Sequence, residues 1–210
     1  MPNESPMDKL LAGVRKFQSE VYPKHRERYE RAARQPQQPH TLFITCSDSR
    51  IDPELITQSG PGEIFVTRNI GNLVPAYGEM LGGVSAVVEY AVQALGVKQI
   101  VICGHTDCGA MKGLQHREKL QSLPTVNHWL RNAEAALSVV QARRTGMGEQ
   151  AELEQLIGEN VVLQMHHIRT HPAVAGKIAQ EALEIYGWIY DIGHGEVRAY
   201  DPESKSFQPV

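Results

Sequence analysis

Two short segments of this chain concentrate groups that can bind a metal or move a proton. Cys46-Ser47-Asp48-Ser49-Arg50 places a thiol, a carboxylate and a guanidinium within five residues, and His105-Thr106-Asp107-Cys108-Gly109 adds an imidazole and a second thiol. Thiolate and imidazole are the ligands a tetrahedral zinc prefers, and a catalytic zinc usually takes three protein ligands and keeps one position open. Cys46, His105 and Cys108 supply such a set, and the two residues between His105 and Cys108 let one loop present both. Two thiolates formally cancel the charge of the dication, so a bound water is acidified less than in a three-histidine site and needs local help. Asp48 can accept a hydrogen bond from that water. Arg50 can hold the carboxylate ionised in a bidentate pair, which a lysine would do less well.

Each piece has an ordinary explanation when taken alone. A lone free cysteine is usually a small buried apolar residue, an Asp-x-Arg is usually a surface ion pair, and a lone His-x-x-Cys is a weak zinc signal. Their joint placement at two strand ends reverses that weighting. Cys103, apolar on both sides, reads as a core residue, and His166, His167, His171 and His194 lack cysteine neighbours and read as surface or hydrogen-bonded histidines. Gly82 and Gly83 fit either an anion-binding turn or close helix packing.

The elements that must position these groups follow from pattern. Leu42-Phe43-Ile44, Glu63 to Thr67 and Gln99 to Cys103 are apolar runs of strand length. Between them lie a helix capped by Asp52 with Pro53 at its first position, the turn Gly60-Pro61-Gly62, and a mostly apolar helix over Val84–Leu95 closed by Gly96. Alternating strands and helices argue for an α/β fold with a central, mainly parallel sheet flanked by helices, which puts both chemical segments at carboxyl ends of strands.

Beyond Gly109 the pattern predicts a helix from Ala110, a loop over 115–125, helices over Val126–Arg144 and 150–169, and another over Ala173–Ile185. Thr145-Gly146-Met147-Gly148 is expected to end the second of these, and residues 187–192 and 196–200 to form a closing hairpin. Residues 1–38 read as an N-terminal helical arm and linker, with Leu10, Leu11, Val14, Phe17 and Val21 on one face up to Pro23 and a nearly all-charged segment to Arg34. Residues 39–210 read as the zinc-binding catalytic domain.

At 210 residues, 41% hydrophobic and with a net charge of −3, the chain suits one well-packed domain and offers no basic footprint for nucleic acid or an anionic membrane. No run approaches a membrane span, no leader pattern opens the chain, and three cysteines form no disulfide framework, so the expected compartment is the cytoplasm.

These residues resemble the β-class carbonic anhydrases. The resemblance is carried by Cys46-Ser47-Asp48-Ser49-Arg50, by Arg68-Asn69 after Phe65-Val66-Thr67, by Cys103-Gly104-His105-Thr106-Asp107-Cys108-Gly109 and by Gly187-Trp188-Ile189-Tyr190-Asp191, in the family's order and at similar spacing. It implies one zinc per chain on Cys46, His105 and Cys108, and an Asp48–Arg50 catalytic dyad. The implied reaction is reversible hydration of carbon dioxide to bicarbonate and a proton by zinc-hydroxide attack. Gly104, Arg68 and Tyr77 are the candidates for contacting substrate. The resemblance further implies self-association as a dimer or tetramer, with the N-terminal helices lying across the partner. Two departures stand out. Phe43 occupies the place of a tryptophan that, with the equivalents of Arg68 and Tyr190, makes an inhibitory bicarbonate site in some members, so no such site is expected here. Gly60 stands where plant-like members carry a glutamine. Without that tryptophan, Asp48 is expected to pair with Arg50 near neutral pH rather than close on the metal. The rival readings are a zinc hydrolase of carbonyl sulfide or carbon disulfide on the same scaffold, a structural zinc clip, and a thiol redox role for Cys103 and Cys108.

Overall fold

The computed structural model describes residues 5–79, 82–143, 146 and 148–210. The chain divides into two compact units, Met1–Gln37 and Gln38–Val210. In the first, Ser5 and Asp8 form a reciprocal capping box that starts helix α1, Pro6–Lys16. A widened π turn, Phe17–Val21, leads into α2, Tyr22–Arg34. The amphipathic helix therefore continues past Pro23, because proline falls in the first turn of α2, where its missing N–H costs no intrahelical bond. Phe17, Tyr22 and Tyr29 pack edge-to-face and stacked across that turn, while Met7, Leu10, Leu11 and Val14 stay exposed.

The second unit is built on a six-stranded sheet in the order β2-β1-β3-β4-β5-β6. Its strands are β1 (Thr41–Cys46), β2 (Ile64–Asn69), β3 (Gln99–His105), β4 (Glu184–Asp191), β5 (Glu196–Asp201) and β6 (Ser206–Pro209). The first four pair in parallel and the last two add antiparallel, which is the mainly parallel sheet expected from the alternation of elements. β1 sends its connection to one neighbour and β3 to the other, so the order reverses between them. The crevice at that switch point, beyond the strands' carboxyl ends, is where such sheets bind ligands.

Helices follow as α3 (Pro53–Thr57), α4 (Gly83–Glu89), α5 (Gly109–Gln115), α6 (Pro124–Trp129), α7 (Glu134–Ala142), α8 (Glu149–Arg169) and α9 (Pro172–Ala179). Asp52 caps α3 as expected, accepting from Leu55 N–H at 3.2 Å. Leu42, Ile44, Ile100 and Ile102 face the main core with these helices, and Phe43, Val101 and Cys103 form a smaller cluster with Trp188 and Tyr190. That split is the period-2 alternation of a strand. α8 seats closely on the sheet because Gly104 presents no side chain: a Cβ there would lie 2.8 Å from Val161 Cγ2.

Four expectations are corrected. The helix after Pro172 ends at Ala179 rather than Ile185, since Glu181 turns left-handed (φ +53°) and Glu184 already pairs with Gln99 at the start of β4. Residues 117–120 form a 3₁₀ turn and α6 begins at Pro124, so the region 115–125 is only partly loop. The single helix expected over Val126–Arg144 is interrupted by a 3₁₀ turn at Leu130–Ala133. The closing hairpin gains a third strand, β6, whose Phe207 packs on Tyr200 with ring centroids 5.3 Å apart. Arg144, Thr145 and Met147 of the expected helix end lie outside the described residues. No helix among the described residues is long and apolar enough to cross a membrane. Around Gly82 and Gly83 no described heavy atom lies within 4 Å of an added Cβ.

Candidate metal centre

β1 and β3 are buried nearly throughout and end side by side, delivering Cys46 and His105 to the switch point. The chain then turns through Asp107 and presents Cys108 at the start of α5. The ligand atoms of Cys46, His105 and Cys108 all lie within 4.8 Å of one another, and all three residues are buried. His105 Nδ1 lies 2.9 Å from the Thr106 carbonyl, which can only accept, so the proton sits on Nδ1 and the lone pair on Nε2. That Nε2 is a fully buried atom with no hydrogen-bond partner. A buried imidazole lone pair between two thiols fits a soft-to-borderline cation such as zinc.

The sulfurs are unequal. The hydrogen bond from the Cys108 thiol, helped by the Gly71 and Asp48 amides, draws the Cys46 thiol well below its usual range. Donation to Cys46, together with burial, pushes Cys108 well up. The site thus offers one ready thiolate and a second thiol that must lose its proton on coordination. Cys103 stands apart in the smaller cluster, where burial raises its thiol to about 12 and makes it inert.

Asp48 stands at the mouth, its Oδ2 4.0 Å from His105 Nε2. Arg50 grips it through Nε on Oδ1 at 2.9 Å and Nη2 on Oδ2 at 2.7 Å, and the Arg50 backbone N–H adds a third bond at 3.0 Å. Those bonds, the guanidinium's first, hold the Asp48 carboxyl far below the usual carboxylate range. The pair meets solvent, with side chains 16% and 45% exposed for Asp48 and Arg50.

The candidate substrate contacts fall in three different places. Arg68 turns its donors to the backbone, Nε to the Cys46 carbonyl at 3.1 Å and Nη2 to the Asp48 carbonyl at 2.6 Å, and so straps the Cys46–Arg50 loop to β2. Gly104 lies in the interior of β3 against α8. Tyr77 stacks edge-on against His171, centroids 5.6 Å apart. Phe43 is buried and meets Trp188 edge-on. Gly60 donates its N–H to Glu63 at 2.9 Å. His167 and His171 bond the carbonyls of Val74 and Pro75, and His194 pairs with Asp191.

Several supports carry no motif in the sequence. The loop after β2 is clamped by Asn69, which bonds both the carbonyl and the N–H of Leu73. From α8, Asn160 donates to the Gly71 carbonyl at 3.1 Å and Gln164 accepts from Val74 N–H at 2.8 Å. So held, Gly71 directs its own N–H at Cys46 Sγ, 3.4 Å away. The residue has to be glycine: its φ is +81°, and a Cβ would sit 3.0 Å from that of Ala110. Only the helical period of α8 hinted at Asn160 and Gln164, as polar positions four apart on a buried face.

Comparison with known proteins agrees with this geometry. The family described as carbonic anhydrase matches residues 41–197. A carbonic anhydrase of Pseudomonas aeruginosa is 47% identical over 201 residues, covering 96% of this chain and 90% of that protein. The solved β-carbonic anhydrase CcaA superposes with a TM-score of 0.95 at 42% identity, over 98% of this chain and all of that one. Tetrameric β-carbonic anhydrases of Sordaria macrospora follow at a TM-score of 0.80 and 27% identity, over 92% and 95% of the two chains. With a Cys-His-Cys cluster at the switch point of a sheet that superposes so closely, the chain belongs to the β-class carbonic anhydrases and is a carbonate dehydratase.

Proposed function

We propose that the enzyme interconverts carbon dioxide and bicarbonate with one zinc held by Cys46, His105 and Cys108. The observation that carries this reading is the orphaned, buried His105 Nε2 between two thiols, next to a carboxylate fixed by arginine. Zinc, when bound, supplies Lewis acidity that acidifies a water at the position the three ligands leave open. The chain's residues supply the rest. The Thr106 carbonyl fixes the His105 tautomer, and the Gly71 N–H offsets charge on the Cys46 thiolate. Asp48, kept ionised by Arg50, can only accept, so it selects and orients a partner bearing an O–H. Arg68 keeps the Asp48 backbone from shifting relative to Cys46.

Self-association is part of the proposal. The stripe Met7, Leu10, Leu11 and Val14 on α1 is exposed, and an apolar helical face of that kind is covered by a second copy. We place the enzyme in the cytoplasm, where three unpaired thiols suit a reducing environment.

The test is zinc content per chain together with stopped-flow hydration of carbon dioxide. One zinc and a rate that falls on the order of a hundredfold in Asp48→Asn are expected, the scale of losing an oriented polar group beside a reacting centre. A wild-type rate in Asp48→Asn, or sulfide release from carbonyl sulfide outpacing hydration, would overturn it.

A further inference from the structure

Arg50 has a second carboxylate partner. Asp107, between His105 and Cys108, adopts a left-handed backbone (φ +61°), a conformation that aspartate tolerates better than most residues. Its Oδ2 accepts from Arg50 Nη1 at 3.0 Å, and its carbonyl lies 3.5 Å from Nη2. The other carboxylate oxygen is taken by Lys112 Nζ. Lys112 sits one turn into α5, its own N–H bonded to the Cys108 carbonyl at 3.0 Å. The groups alternate as Asp48, Arg50, Asp107, Lys112, two anions and two cations, and link the loop after β1 to the helix after β3.

A guanidinium bound to Asp48 alone could swing with it as one rigid pair, and that pair stands 4.0 Å from the lone-pair nitrogen of His105. Binding Nη1 to a second carboxylate on another loop fixes the guanidinium plane. Lys112 neutralises that second carboxylate, so it does not draw Arg50 away from Asp48.

We propose that Asp107 and Lys112 are positioning residues that lock the Arg50 guanidinium and thereby keep Asp48 turned away from the metal side of the site. The inference rests on the reading of Asp48 as the group that orients water, and deepens it.

The experiment compares Asp107→Asn, Lys112→Met and Lys112→Arg with the wild-type enzyme in two measurements. Hydrogen exchange of the Arg50 Nε–H, followed by ¹⁵N NMR on the zinc-loaded enzyme, should quicken about two- to fivefold in Asp107→Asn and Lys112→Met, the scale of an exposed ion pair. In the zinc enzyme, kcat/KM for hydration should fall by a similar factor, Lys112→Arg should restore it, and Asp107→Asn should add nothing in an Asp48→Asn background. Unchanged Arg50 exchange in both Asp107→Asn and Lys112→Met would overturn the proposal; Lys112 is surface-exposed, so its variant folds even if Asp107→Asn does not. A wild-type rate in Asp48→Asn alone would instead defeat the functional reading, while Arg50 exchange would still decide whether the lock exists.

Discussion

The metal centre has two halves that are held by different physics. Cys46, His105 and Cys108 are buried at the ends of strands and the start of a helix, and their positions follow from backbone pairing and close packing. Asp48, Arg50 and Asp107 stand at the solvent edge and are held by charge. The buried half should be sensitive to volume and indifferent to salt, and the exposed half the reverse. An enzyme that must bind a cation tightly yet let water and bicarbonate exchange gains from that division.

The comparison can be broken most severely at a ligand. His105→Ala should abolish zinc retention after dialysis and bring hydration to the uncatalysed background, read by metal analysis and stopped-flow. Gly104→Ala tests whether packing holds the buried half. Its Cβ would press on Val161, 2.8 Å away, and should lower stability by about 1–3 kcal/mol in urea unfolding, with Val161→Ala relieving the loss. Gln164→Leu should cost about 1–3 kcal/mol by orphaning the buried Val74 N–H, and should loosen the Gly71 contact with Cys46. An equal loss of activity in high salt for Gly104→Ala and Asp107→Asn would erase the contrast.

The smallest effect concerns pH at the turn after β4. His194 is held above its usual value by Asp191, and Asp191 below its own chiefly by His194. The ion pair's contribution is therefore present between the two shifted values. It fades as pH rises through the raised histidine value and as pH falls through the depressed carboxyl value. Protection of the Gly193 and His194 amides, taken relative to their intrinsic exchange rates at each pH, should be greatest in that window and fall on both sides, and His194→Gln should flatten the profile.

Much of this was legible in the chain. Apolar runs of strand length, the Asp52-Pro53 helix start and polar residues after each strand place the ligands at one sheet edge, because period and capping are local properties. The helix drawn too far beyond Pro172 shows the limit: Ile185 and Tyr186 suit a strand by propensity but also continue the apolar spacing of the preceding helix, and pairing with β3 decides between the two. β6 escaped for the same reason, since four residues gain a strand only beside β5.

Taken alone, the sequence determined the ligand types, their order and the sheet that presents them, since residue chemistry and hydrophobic period are written along the chain. Only the tertiary structure decided which N–H meets the Cys46 sulfur, that Arg68 straps backbone carbonyls, and that Asp107 and Lys112 complete the grip on Arg50. Those contacts join residues up to 57 positions apart, as Arg50 and Asp107 are, and the Gly71 loop that meets Cys46 is itself held by Asn160 of α8, 89 positions further along the chain. A distance of that kind is set by packing in three dimensions, and no local pattern encodes it.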